Sequence, residues 1–304
     1  MSKLIYLGRQ SRFKQGIQTA FCSGTGAKMM YGDYGFDEEG AHGLERLSCP
    51  TELYDRLEGD GADFNIATYG IITKDARSVN TSNSWPTEYD RSVVSYKKLL
   101  SIARNFIFVD HGYFMRSSGP ASWDGYFSVC VNEKWATDKR EYNWNRFNSL
   151  GIKLKKWRKS GDHIVLIPPS HHILDYLEHG SERGDVLVYD VSRDWESRTV
   201  EEIRRHTDRK IVISDKVNAP LSDCLQNAWC VVTSFSNAGI DAMIEGIPAI
   251  FTNPQRRMGE LKDIEDPPVD REFFKMLANN QWTIKEIKKG KMWGQVKERY
   301  QCLD

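Results

Sequence analysis

The stretch VVTSFSNAGIDAMIEGIPAI, residues 231–250, holds the side chains best suited to binding chemistry. An apolar run, Val231 to Ser234, leads into a turn of small polar residues: Ser234, Ser236, Asn237, Ala238 and Gly239. A helical pattern then begins. Small residues let a ligand come close to the backbone, and the free N–H groups and positive end of a helix suit a phosphate or diphosphate. Asp241 is expected in the first turn of that helix, within reach of a ribose hydroxyl. The plainer alternative is an N-cap with ordinary strand–helix packing. Pro168, Pro169, Ser170 and His171 leave another apolar run, HIVLI, at the strand end where ligands bind in open α/β sheets. Ser170 is a donor for a phosphate there, or the two prolines simply close a rigid loop. Lys216, after KIVIS, is placed to neutralise a leaving diphosphate, or is a surface lysine.

A second group lies in DHGYF, at the end of the apolar run FIFV. Asp110 there is a candidate general base for an acceptor hydroxyl. His111, which titrates near neutrality when unperturbed, is the rival. The alternative is that Asp110 caps the loop and His111 packs. Tyr69-Gly70 ends a neighbouring run and can line the same place. Metal chemistry finds little support: Asp190 and Asp194 are too far apart for a DxD pair, and the adjacent His171 and His172 cannot both face one ion. No metal is expected.

The elements that must hold these groups alternate. KLIYLG, FNIATYG (Phe64 to Gly70) and FIFVDH read as strands, with a Ser/Thr/Asn-rich loop over 78–87 and a helix over 90–103 between the last two. HIVLI, DVLVYD (Asp185 to Asp190), RKIVIS and WCVVTS follow, with IPAIFTN (Ile247 to Asn253) as the final strand. Helices are expected over Thr199 to Thr207, where Thr199 and Glu202 spell a capping box, over Leu221 to Ala228, and over Ser236 to Gly246. Strand and helix in alternation predict an α/β chain of two doubly wound domains. The boundary falls in the basic stretch at about 155–162. That gives residues 1–158 and 159–304, with a charged helical tail over 270–304 able to pack back on the first domain.

With 304 residues, 40% of them hydrophobic, two ordinary cores can be buried. Lys+Arg and Asp+Glu are equal at 42, so a polyanionic partner would need a local patch. Residues 132–159 supply one. Lys139, Arg140, Lys153, Lys155, Lys156 and Arg158 alternate with Trp135, Tyr142, Trp144, Phe147 and Trp157, a pattern that suits phosphates and stacked bases. The alternative is a solvated linker whose tryptophans pack. Six scattered cysteines without a CxxC predict reduced thiols in a cytoplasm, and the start MSKLIYLGRQ does not read as a signal peptide. No run approaches the roughly 18 apolar residues of a membrane span.

Several of these segments together resemble a known family. Ser236, Asn237, Gly239, Asp241 and Gly246-Ile247-Pro248 look like the nucleotide-sugar half of GT-B glycosyltransferases, which usually carry Glu where this chain has Asp241. DHGYF, Trp157-Arg158 followed by Gly161, Pro168-Pro169-Ser170, TDRK, SNAGIDAMIEGIP and QWTIKEI resemble a group of phage-encoded glycosyltransferases over about residues 106–293. Residues 1–60 match nothing. The resemblance implies two Rossmann-like domains facing a cleft, with the donor held by the second domain and the acceptor and base by the first. It implies a nucleotide-sugar donor, a UDP-sugar foremost, with no tightly bound cofactor. Lys216, Ser236 and Asn237 would hold the diphosphate and Asp241 the ribose. With the basic patch, it points to a flipped 5-hydroxymethylpyrimidine of double-stranded DNA as acceptor. Envelope polysaccharide synthesis, or a non-catalytic nucleotide- or DNA-binding role, are the alternatives. Oligomeric state is left open.

Overall fold

The computed structural model describes residues 3–8, 15–32, 45–47, 64–69, 103–116, 124–133, 135–137, 140–169, 194–214, 219–256, 258–300 and 303. The described chain divides into two compact units. One holds the residues up to Ala136 and from Leu277 onward, and the other holds those from Thr137 to Met276.

The first unit is built on a seven-stranded sheet. Its strands are β1 (Lys3–Gly8), β2 (Lys28–Gly32), β3 (Glu45–Leu47), β4 (Phe64–Tyr69), β5 (Asn105–His111), β6 (Tyr126–Val131) and a late strand, β11 (Gln281–Thr283). Across the sheet they run β11-β6-β5-β4-β1-β2-β3. The five strands β1 to β5 are mutually parallel, and β6 pairs antiparallel with both β5 and β11. The order β3-β2-β1-β4-β5 is the doubly wound one, and the unbroken burial of a strand such as Phe64–Thr68 fits a sheet covered on both faces. Helix α1 (Gln15–Thr25) follows β1. Two C-terminal helices, Ile284–Lys288 and Lys291–Arg299, belong to the same unit, and Ile287, Met292 and Val296 are buried in one cluster with Phe21, Ile107 and Phe127. Thr283 and Glu286 form the capping box that starts the first of the two.

The second unit carries a four-stranded parallel sheet in the order β10-β9-β7-β8. Its strands are β7 (His163–Ile167), β8 (Lys210–Ile213), β9 (Ala228–Thr233) and β10 (Ala249–Phe251). Its helices are α2 (Asn145–Asn148), α3 (Trp195–Arg204), α4 (Leu221–Cys224) and α5 (Asn237–Ile244). Ile164, Val165, Leu166, Val231, Val232 and Ile250 are fully buried, each worth about 1.5–3 kcal/mol against exposure. Two Rossmann-like α/β units in one chain are the composition expected from the strand–helix alternation.

Four local expectations are corrected. Thr199 is not an N-cap: α3 begins four residues earlier at Trp195, and Trp195, Thr199 and Ile203 form its buried face at a spacing of four. The helix at Leu221 ends at Cys224. IPAIFTN is not the final strand, because β11 follows it and joins the other sheet. Asp241 lies in the second turn of α5, whose first turn holds no acidic residue. The expected loop over 78–87, the strand DVLVYD, and the helix over 90–103 apart from Ala103 lie outside the described residues.

The basic stretch expected to link two domains is docked within the second unit. Lys155 N–H donates to Ile244 O at 2.9 Å and Arg158 N–H to Gly246 O at 2.7 Å, so the stretch runs along the end of α5. Gly246 makes that turn with φ +82, and a Cβ there would lie 2.2 Å from Lys156 O. A left-handed Cβ-bearing residue is strained even without a backbone clash. Gly246→Ala is therefore expected to lower the stability of this unit by about 2 kcal/mol or more, read from a urea melt. No helix among the described residues is long and apolar enough to cross a membrane.

Candidate functional site

In the second unit, the strand order reverses between β7 and β9, and Ile167 pairs with Thr233 at their carboxyl ends. Ligands of open α/β sheets bind at such a reversal. The half-buried Pro168 and Pro169 leave β7 there, beside the turn that Ser234 begins. Thr233 ties the two ends together: its Oγ1 donates to Ile167 O at 3.0 Å and accepts from Ser236 N–H at 3.3 Å. Ser236 caps α5, its Oγ accepting from Ala238 N–H at 3.2 Å. Ser234 is 1% exposed, and its Oγ has no hydrogen-bond partner among the described residues. A buried hydroxyl left so costs about 1–3 kcal/mol, which a ligand oxygen would recover.

Arg256, absent from the sequence expectations, completes the turn. One guanidinium nitrogen donates to Phe235 O at 3.0 Å and to Asn237 Oδ1 at 3.2 Å, and the group lies 4.8 Å from the centre of the Phe251 ring. A fixed cation therefore stands beside the positive end of α5. A Cβ on Gly239 would lie 2.6 Å from the Phe251 ring and 3.2 Å from Thr233 Cγ2, so this glycine also lets α5 pack closely on the sheet. Asp241 is half-buried one turn into α5. Ser170 and Lys216 lie outside the described residues.

In the first unit, Tyr69 ends β4 while Asp110 and His111 end the adjacent parallel strand β5. Asp110 Oδ1 accepts the backbone N–H of His111 at 2.8 Å, which fixes the carboxylate at the strand end. Tyr69 Oη and His111 Nε2 are 3.0 Å apart. The imidazole is stacked on Phe127, with centroids 6.2 Å apart and planes 22° apart, and meets the Tyr69 ring edge-on at 5.8 Å. Burial, and then the charge of Asp110, raise the Tyr69 phenol above its ordinary range, so it stays protonated. The DHGYF loop is held from β11: the side-chain oxygen of Gln281 accepts the N–H groups of Tyr113 at 2.8 Å and Phe114 at 2.9 Å. Ser128 Oγ donates to His111 O at 3.1 Å.

Much of the basic, aromatic stretch is engaged with the protein. Arg158 donates to Leu225 O at 3.0 Å and Ala228 O at 2.8 Å. Lys155 pairs with Glu245. Trp157 lies 3.7 Å beneath the Arg271 guanidinium, which donates to Met243 O and Lys155 O, and loss of solvent lowers the pKa of that arginine. Trp135 and Phe147 are buried. Arg140, Lys153 and Lys156 remain exposed, Arg140 against Tyr142 at 3.0 Å. Lys139 lies outside the described residues. Among the described residues, no group of three or more His, Cys, Asp or Glu side chains is gathered in metal-binding fashion.

No family model and no curated protein sequence matches the chain. Solved structures align with the chain at low identity. The β-Kdo 2,7-transferase of Thermosulfurimonas dismutans KpsC is 12% identical, with a TM-score of 0.47, over 97% of this chain and all of that one. The β-Kdo 2,4-transferase of the same protein is 10% identical at a TM-score of 0.43, over 91% of this chain and 89% of that one. The Methanocaldococcus jannaschii UDP-GlcNAc 2-epimerase, solved with UDP-GlcNAc and UDP, is 11% identical at 0.27, over 98% and 100%.

Proposed function

We propose that the chain is a nucleotide-sugar-dependent glycosyltransferase of GT-B type, with the donor held by the second unit and the acceptor by the first. The observation that carries this is the turn at the ends of β7 and β9. A capped helix start, the Arg256 guanidinium and the buried Ser234 hydroxyl belong to that turn, and together they suit an anionic group such as a diphosphate. Ser236, whose N–H is taken by Thr233 Oγ1, would offer its hydroxyl proton to the phosphates and Asn237 its backbone N–H, with Pro169 beside the turn. Asp241 reaches for the ribose.

In the reaction, Asp110 takes the proton of an acceptor hydroxyl as its oxygen bonds to the anomeric carbon. The bond from that carbon to the diphosphate breaks, and the nucleoside diphosphate leaves with the negative charge. Arg256 and the start of α5 stabilise that charge, a role that Lys216, where the sequence first placed it, can share. A UDP-sugar is the donor we expect.

Two acceptors are separated by the basic stretch. The exposed Arg140, Lys153 and Lys156 support a 5-hydroxymethylpyrimidine in double-stranded DNA. The engagement of Arg158, Lys155 and Trp157 with the protein favours a carbohydrate acceptor instead. Transfer from radiolabelled UDP-sugars to hydroxymethylated duplex DNA and to oligosaccharides, assayed side by side, tests both. Label on DNA that falls as salt rises supports the first, label on oligosaccharide alone supports the second, and label on neither with any sugar nucleotide contradicts the transferase reading.

Arg256→Ala is expected to weaken nucleoside diphosphate binding roughly ten- to hundredfold, since a charge-assisted hydrogen bond is worth about 1.5–3 kcal/mol. Isothermal calorimetry on the folded variant reads this directly.

A further inference from the structure

We propose that Tyr69 is a positioning residue that holds His111 with its ring proton on Nδ1, making His111 a hydrogen-bond donor to the acceptor substrate and leaving Asp110 as the only base of the pair. The proposal rests on the glycosyl-transfer reading for its substrate, but not for its geometry.

The geometry is the contact between Tyr69 Oη and His111 Nε2 at 3.0 Å. Two protons could fill it, and they are not equal. A phenol is a far stronger donor than a neutral imidazole N–H, and an imidazole nitrogen is a far better acceptor than a phenol oxygen. The bond therefore runs from Tyr69 O–H to Nε2, and the neutral ring carries its own proton on Nδ1. The raised pKa of the Tyr69 phenol keeps that donor in place.

The His111 side chain is exposed, and two rings flank it. It is stacked on Phe127 and closed edge-on by Tyr69. Among the described residues, the titratable groups facing it are Tyr69 from β4 and Asp110 from its own strand; β6 presents Phe127 and Ser128. The imidazole has its hydrogen bond with Tyr69, while Asp110 Oδ1 takes the backbone N–H of His111. The carboxylate and the Nδ1 proton are thus two separate functions at one strand end. The hydroxyl proton of the acceptor passes to Asp110, and His111 gives up none. Such a pair suits an acceptor that carries a second hydrogen-bond-accepting oxygen beside its reacting hydroxyl.

The effect is measurable without turnover. In the full-length, nitrogen-15-labelled protein, long-range proton–nitrogen spectra should show the His111 proton on Nδ1, with the resonance assigned by its loss in His111→Asn. In Tyr69→Phe the proton should move to Nε2. A proton on Nε2 in the unaltered protein overturns the proposal.

Kinetics give a second arm. Tyr69→Phe should lower kcat roughly tenfold with the donor KM unchanged, as loss of an orienting partner does. His111→Asn, which keeps an N–H near the place of Nδ1, should retain activity within about tenfold, whereas removal of a base costs about a hundredfold or more. If His111→Asn is as inactive as Asp110→Asn, His111 is the base and the proposal is wrong. A proton on Nδ1 in a protein that turns over no sugar nucleotide upholds the Tyr69–His111 assignment and overturns the transferase reading instead.

Discussion

Asp110→Asn should give a protein that melts like the parent yet transfers sugar about a hundred- to ten-thousandfold more slowly. That range is the contribution of one well-placed general base. The substitution removes the proton acceptor while keeping the oxygen that receives the His111 N–H at 2.8 Å, so the strand end keeps its geometry. Donor affinity should not change, because the proposed diphosphate site is made of residues of the second unit. The loss should therefore fall on kcat, with the donor KM preserved. If Asp110→Asn keeps full activity, Asp110 has no part in the mechanism.

Gln281→Ala should be the most damaging single substitution for the first unit. Its side-chain oxygen receives two backbone N–H groups, those of Tyr113 and Phe114, in residues that are 1% and 2% exposed. Removing it strands both donors away from water at about 1–3 kcal/mol each, so a total of about 2–6 kcal/mol is expected. Urea unfolding followed by tryptophan fluorescence reads the loss. The same change frees the loop that follows Asp110 and His111, so activity should fall even at temperatures where the protein remains folded. A stability loss under 1 kcal/mol would mean that the loop finds other partners.

The sequence shows some of this directly and hides the rest for physical reasons. The strands at Lys3, Phe64, Asn105, His163 and Ala228 are continuous apolar runs, and such runs declare themselves. Ser236 was legible as a cap because the signal is local: a serine, a small-residue turn and a helical pattern. Asp110 and His111 stood out through their place at the end of a buried run. Arg256 was missed because its partners, Phe235 and Asn237, belong to the previous strand–helix connection. Gln281 was missed because the loop it holds lies 168 residues earlier. The Tyr69–His111 contact likewise joins two strands, across 42 residues. Thr199 shows the opposite failure. Its local capping pattern was plausible, but the buried face of Trp195, Thr199 and Ile203 carried the helix past it. The basic stretch misled in another way, because composition shows the charges of Lys155 and Arg158 but not the carboxylate and carbonyls that receive them.

The claim on which the rest depends is that the turn after β9 holds a nucleoside diphosphate. A thermal-shift series tests it most directly, with UDP, GDP, TDP, CDP and AMP at millimolar concentration, with and without magnesium. A ligand that binds only the folded protein stabilises it by mass action, by about 2.7 kcal/mol at a hundred times its Kd, and so raises the melting temperature. The account predicts a clear rise with one nucleoside diphosphate, UDP first, that Arg256→Ala largely removes. No rise with any of the five would contradict it.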